Sequence, residues 1–570
     1  MKSALEYIRK YKILFLIIIP AFFLFMLVII PSGTYFCFRE ACGINFWGAH
    51  GHDAIWHLAI ANTSFNTFPF VAPTFSGEKL YGYNYLLDFF VFLPTKLGIP
   101  VVITYFKIIP IVWFSLFTLL LVILGRKIKD HPVFVGLFLF FNYFAGSFYY
   151  LIKLYRDHSI NDSSTQLPQP IVLMMTNPPF AFSLVFFLWL LILIKSKHLN
   201  LKSAVLFGFI IFMIIGLKFY GGIISIFMTV AYLLLSFSRD RNALINMVVS
   251  LFIVGFFVLA GILFFYDPFT AVKTGATFGF APFALVHTIT ETPTMFYLQN
   301  LTDARYFLVS KGIGPRLVAI ESLNLIVFLF FYLGTRFFGL FYIPILFLKK
   351  KLDRFDFSVI LTIGFSILLT VTLVQKAEWW NTIQFFYYAI FLSTIYLSKL
   401  AFDLFQKKRM ILNLVVLGII LLSIPTSFDL IKFFVSVPGA SYLPKEEMEA
   451  LDFLKKLPNG VVLSPLYEKD SKKNLTSFPL HAYEDTAYVA AFSGKQEFFS
   501  DELQLRLTGV NYKKRLERIQ NMDCSILHEV DYIYQINENS KNGSIVTVCK
   551  PKKAKVMFNN RSVTIYTIRK

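Results

Sequence analysis

Ile13-Leu-Phe-Leu-Ile-Ile-Ile-Pro-Ala-Phe-Phe-Leu-Phe-Met-Leu-Val-Ile-Ile30 is an apolar run without a single charge. As a helix rising 1.5 Å per residue, about 20 such residues cross a hydrocarbon core roughly 30 Å thick. Runs of this kind recur along most of the 570 residues, which are 56% hydrophobic, 18% aromatic and 15% charged. A soluble domain carries about 25% charged residues. The chain therefore reads as a polytopic α-helical membrane protein.

A net charge of +20 raises the question of nucleic acid. The distribution answers it, because the basic residues fall in short clusters between apolar runs: Arg126, Lys127 and Lys129; Lys195, Lys197 and Lys202; Lys349, Lys350 and Lys351; Lys407, Lys408 and Arg409. Such clusters mark the cytoplasmic ends of spans. No nucleic-acid partner is implied. Alternating the clusters with the longer polar stretches gives about eleven transmembrane helices. The N-terminus is then cytoplasmic, and outer loops fall at 31–100, 152–177, 266–317 and 375–384. The first span is read as uncleaved, since no small-residue cleavage site follows it closely. Residues 85–97 are apolar but interrupted by Asp88, Pro94 and Lys96, which predicts a helix lying at the outer interface. Residues 1–428 are the expected membrane part.

Residues 429–570 read as an extracytoplasmic soluble domain of α/β or α+β class. Pro444 opens a helical pattern carried by Met448, Leu451 and Leu454 and stopped at Gly460. Strands are expected at 461–463, 530–536 and 544–550, and a hairpin pairs 554–558 with 562–568 around Asn559-Asn560. Cys37 and Cys42, and Cys524 and Cys549, all fall outside the cytoplasm, where disulfides are permitted. Spacing alone leaves both pairing and free thiols open.

The first outer loop holds Gly48-Ala-His-Gly-His-Asp-Ala-Ile-Trp-His-Leu-Ala59, with His50, His52, Asp53 and His57 inside eight positions. A carboxylate beside a bilayer is costly unless solvated, paired or used, so Asp53 is a candidate site residue. Capping a loop helix or pairing with a cation is its alternative reading. His52 and His57 are candidates beside it. With Asp53 they offer imidazole and carboxylate to a divalent metal, but no full ligand set is present, and hydrogen bonding to the site stands ahead of that reading. Arg156, Asp157 and His158 lie on the second outer loop, against the alternative of a solvated turn. Lys218 and Tyr220 join two spans, where a lysine also snorkels to the interface. Arg305 and Arg316 are equally readable as surface charges. Lys376, Glu378 and Gln384 flank Trp379 and Trp380, which serve either sugar stacking or interfacial anchoring.

The order of these features resembles the GT-C superfamily of polyprenyl-phosphate-dependent glycosyltransferases, whose relatives include protein O-mannosyltransferases and the aminoarabinose transferase of lipid A. The residues that carry the likeness are Asp53 within His-Asp-Ala-Ile-Trp-His-Leu-Ala, the segment Gly82-Tyr83-Asn84-Tyr85-Leu86-Leu87, and the link Gly216-Leu-Lys-Phe-Tyr220. The tail around residues 487–500 and 530–534 is similar to those of bacterial members. The resemblance implies an outer-loop acid near the transferred sugar, and hence Asp53 as the base that takes the acceptor's proton in an inverting displacement. Lys218, Arg156, Arg305, Arg316 and Lys376 become candidates to meet the departing lipid phosphate.

The expected function is an integral plasma-membrane glycosyltransferase, moving a hexosyl or pentosyl group from a polyprenyl-phosphate sugar donor to an extracytoplasmic acceptor: a cell-surface glycan, a lipid or a protein. No cofactor signature is present. Two other classes compete. A non-catalytic protein that binds or assembles lipid-linked glycans would share the same outer loops. A transporter or flippase would place ionisable groups deep in the spans of two matching halves, a pattern absent here.

Overall fold

The computed structural model describes residues 11–163, 176–196, 200–236, 241–271, 278–375, 379–436, 439–467, 477–537, 545–551 and 554–568. Among them, eight helices are long and apolar enough to cross a membrane: Lys12–Ile29, Val101–Ile128, Pro178–Lys195, Leu244–Tyr266, Pro315–Leu333, Arg354–Thr372, Trp379–Phe405 and Met410–Val435. Pro132–Phe144 and Tyr149–Asp157 meet at a 50° bend and raise the number to nine. The two expected spans joined at Lys218 and Tyr220 are shorter apolar helices, Leu201–Leu217 and Phe219–Leu235. This is the polytopic helical fold expected, with eight or nine full-length spans where about eleven were counted. Its packing forms two compact units.

One unit comprises Met1–Met26, Val112–Gly261 and Thr277–Phe433. Its longest largely buried helix is Ile383–Phe405, which packs against Arg336–Leu348, Arg354–Thr372 and Pro132–Phe144. Small and hydroxylated residues on that helix, including Ala389, Ser393, Thr394, Ser398 and Ala401, are buried and let its neighbours approach closely. The hydroxyls of Ser393, Thr394 and Ser398 donate to carbonyls one turn back, so their burial leaves no open donor. The apolar stretch that runs up to the Lys349–Lys351 cluster is divided. Gly334, at φ +57°, ends Pro315–Leu333, and Arg336–Leu348 starts a new helix.

The other unit comprises Leu27–Ile111, Ile262–Ala276 and Phe434–Lys570, so residues 27–111 fold with the tail. Two four-stranded sheets organise it. In the first, Thr34–Phe38 and Ala41–Phe46 form a hairpin closed by a Cys37–Cys42 disulfide, and Ala41–Phe46 pairs antiparallel with Ser441–Pro444 of the tail. Gly43 permits that pairing, because a Cβ there would lie 2.1 Å from the Leu443 carbonyl oxygen.

The second sheet runs parallel between Val462–Leu463 and Tyr532–Ile536, then antiparallel through Val563–Ile568 to Ala554–Asn559. Its core brings Leu463, Phe498, Phe499, Ile526, Val530 and Ile533 together with Ala72, Phe75 and Tyr81 of the first loop. The hairpin turns where expected, with Asn560 Oδ1 accepting from the Ser562 and Val563 amides. The helix predicted after Pro444 is Lys445–Lys456. The strand expected at 544–550 is instead a helix, Ile545–Cys549. Its β-branched residues favour a strand, but the segment packs Ile545, Val546 and Cys549 on the core at helical spacing. Cys549 is bonded to Cys524.

Candidate functional site

Helix Asp53–Thr63 of the second unit carries the chemistry-bearing stretch, and all of its side chains from Ala54 to Ala61 are buried. A tight turn, Gly48–Gly51, leads into it, and Asp53 sits in the first helical turn, where the helix dipole favours a negative charge. Three histidines precede or follow Asp53, and each has a different environment.

His50 is 1% exposed, bonded through Nδ1 to Ser32 Oγ at 2.7 Å and packed on Phe106 and Phe434. Burial pushes its pKa down to about 4 against the pull of Asp53, so it is a neutral packing residue. His57 bonds through Nδ1 to Asp88 Oδ1 at 2.8 Å, with Tyr83 Oη 3.4 Å from its other nitrogen and Tyr105 stacked on its ring. Asp88 is fully buried in helix Leu86–Thr95, and burial raises its pKa against the opposing charge of His57. That pair is closed from solvent and ties two helices of the unit together.

His52 is arranged differently. Its Nδ1 lies 3.2 Å from Asp53 Oδ1, and its Nε2 lies 3.6 Å from Asp501 Oδ1 and 4.0 Å from Glu484 Oε2. Burial disfavours the imidazolium, but Asp501, Asp53 and Glu484 outweigh it and lift the His52 pKa to about 10. Asp501 is fully buried; burial and Asp485 raise its pKa to about 7 while His52 opposes them. The three side chains form a line, Asp501–His52–Asp53. It begins in the buried tail and ends on a carboxylate whose side chain is 52% exposed. Asp53 is thus a half-exposed carboxylate beside a buried imidazole, which faces a buried carboxyl on its other side.

The separation of His52 from His57 puts the two rings on different sides of the helix, each facing its own carboxylate. No group of three or more His, Cys, Asp or Glu among the described residues could hold a metal ion. The residues present do not fit the His52–His57–Asp53 metal reading.

The remaining candidates lie in the other unit. Arg156 pairs with Asp157 at 2.8 Å and donates to the Met295 carbonyl at 2.9 Å, while Lys153 also pairs with Asp157. His158 is exposed at the left-handed end of that helix. Arg305 is bound by Glu291, with Glu321 3.8 Å away, and Glu321 also takes His287 at 2.6 Å. Tyr220 donates to Gln375 at 2.8 Å, and Lys218 is buried between Leu201–Leu217 and Phe219–Leu235. Gln384 donates to Asn381, and Arg316 is exposed at a helix start. Lys376 and Glu378 lie outside the described residues. Arg156 and Arg305 are thus each committed to a carboxylate, and sequence reasoning did not foresee either partner.

Sequence reasoning also missed Asp88, Glu484, Asp485 and Asp501. Asp88 had a visible signal, a carboxylate inside an apolar run. Glu484-Asp485 is an acidic pair in a largely basic tail, but nothing local ties it or Asp501 to His52.

No protein-family model matches the sequence, and no curated protein matches it. Solved structures do. The crystal structure of the Archaeoglobus fulgidus oligosaccharyltransferase, complexed with Zn and sulfate, aligns at TM-score 0.50 and 12% identity over 97% of this chain and 73% of its own. Archaeal oligosaccharyltransferase AglB from the same organism, with an inhibitory peptide and a dolichol-phosphate, aligns at 0.49 and 12% over 99% and 75%. The first likeness establishes a GT-C-like polytopic fold.

Proposed function

We propose that this chain is a membrane glycosyltransferase that moves a sugar from a polyprenyl-phosphate carrier to an extracytoplasmic acceptor, with Asp53 as the general base. The observation that carries this reading is the Asp501–His52–Asp53 line, which presents one oriented carboxylate on a fold like that of an oligosaccharyltransferase. In the reaction, Asp53 takes the proton from the acceptor hydroxyl as its oxygen attacks the anomeric carbon. The bond from that carbon to the carrier phosphate breaks, the phosphate leaves with the electron pair, and the configuration inverts. His52 keeps the carboxylate aimed, and Asp501 and Glu484 keep His52 charged.

The supporting experiment supplies purified protein with labelled polyprenyl-phosphate sugars and a membrane glycan extract, and determines the anomeric configuration of the product. Label leaving the lipid with inversion is the expected result. Donor binding without label transfer would favour the non-catalytic glycan-binding reading, and a retained configuration would remove Asp53 from the role of simple base.

A further inference from the structure

A cavity of about 260 Å³ lies in the first unit, where the ends of six apolar helices converge. Ile128 and Lys129 follow one span, Phe134 opens the next, Lys195 ends another, and Leu346 with Lys351 closes Arg336–Leu348. Asp353 and Asp356 start Arg354–Thr372, while Lys399, Phe402 and Asp403 come from the last turns of Ile383–Phe405. The lining is four lysines against three aspartates.

The acids are already engaged. Lys195 pairs with Asp353 at 2.7 Å, Lys399 pairs with Asp356 at 2.5 Å, and Tyr342 donates to Asp403 at 2.6 Å. These contacts bolt helix ends together and neutralise the inner lining. The outer part keeps Lys129 and Lys351, both exposed, and neither has a carboxylate at ion-pair distance among the described residues. Lys129 lies instead over the Phe402 ring at 4.5 Å. A bolt of ion pairs needs no surplus cations. Two exposed lysines on a polar cavity at the ends of apolar helices suit an anion at headgroup depth.

We propose that this cavity binds the phosphate of an anionic phospholipid headgroup, held by Lys129 and Lys351. The proposal rests on charge and packing in the first unit and is independent of the transferase reading. Shared phosphate chemistry leaves a soluble phosphate as the other source, which the test separates.

The full chain, delipidated in detergent, is titrated with dioleoyl-phosphatidylglycerol, dioleoyl-phosphatidylcholine and free glycerol phosphate, and bound molecules are counted by native mass spectrometry. Wild type is expected to bind phosphatidylglycerol at least tenfold more tightly than phosphatidylcholine and to ignore glycerol phosphate. Lys129→Gln with Lys351→Gln is expected to remove that preference. Lys407→Gln with Arg409→Gln, from an exposed basic cluster, is expected to keep it. No preference in wild type overturns the proposal without reference to any variant. Equal loss in the control pair would reduce the effect to general surface charge and also overturn it, and tight binding of glycerol phosphate alone would reassign the site to a soluble ligand.

Discussion

Asp501 takes φ +55°, a left-handed conformation that costs a non-glycine residue about 1 kcal/mol or more. Its carboxylate both caps Glu502–Thr508, accepting from the Gln504 amide at 3.2 Å, and faces His52. Asn tolerates the same conformation and still caps, so Asp501→Asn isolates the charge on His52. We expect kcat to fall about ten- to a hundredfold with KM little changed, as a displaced base would give. A merely structural role would lower the yield of folded protein and leave kcat of the remainder intact. Glu497 provides a separate check on stability. It is fully buried, and burial lifts its pKa to about 8, so the folded chain binds its proton more tightly than the unfolded chain does. Its contribution is present below the ordinary carboxylate range and is lost as pH rises through about 8, at up to ~1.4 kcal/mol per unit. Glu497→Gln should therefore flatten the decline of Tm between pH 5 and pH 9; an unchanged slope would contradict the assignment. Asp53 and His52 were legible in sequence because charges in an apolar chain stand out. Asp501 was not, since its partner is nearly the whole chain away.

At the scale of elements, apolar length located the helices but not their breaks. Arg336 was invisible as a feature. It is 3% exposed and bonds Ala145 O at 2.7 Å and Thr394 Oγ1 at 2.9 Å. It thereby satisfies a carbonyl left open where Pro132–Phe144 ends. Arg336→Met should cost about 1–3 kcal/mol by leaving that carbonyl unpaired, read as a lower Tm in detergent. Gly334 beside it has a second constraint, because a Cβ would lie 2.4 Å from the Gly146 carbonyl oxygen. Gly334→Ala should destabilise as well, while Gly364→Ala, with open space around its Cβ, should not. Equal behaviour of the two alanine variants would remove the close-approach explanation. The helix at Ile545–Cys549 shows the reverse failure, in which β-branched composition was legible and the packing of the segment on the core at helical spacing was not.

At the scale of the molecule, composition and basic clustering were enough for a polytopic helical fold. They did not show that the first loop and the tail share one core, because those contacts join segments with no common periodicity. Phe75 packs under Arg515, whose guanidinium lies 3.7 Å from the ring centroid, and Gly43 backs onto Leu443. A chain ending after residue 436 should therefore expose Ala72, Phe75 and Tyr81 and run as aggregate in gel filtration; a monodisperse truncated protein would show that the loop folds alone. That shared core is what carries Asp501 to His52, and so Asp53 to its orientation. The most direct measurement sets wild type beside Asp53→Asn in single-turnover transfer from a polyprenyl-phosphate sugar, with donor binding measured on the same preparations. The expected result is that the variant binds donor as wild type does and transfers at least about a hundredfold more slowly. Equal transfer by the two proteins would contradict Asp53 as the base and move the chemistry to another carboxylate.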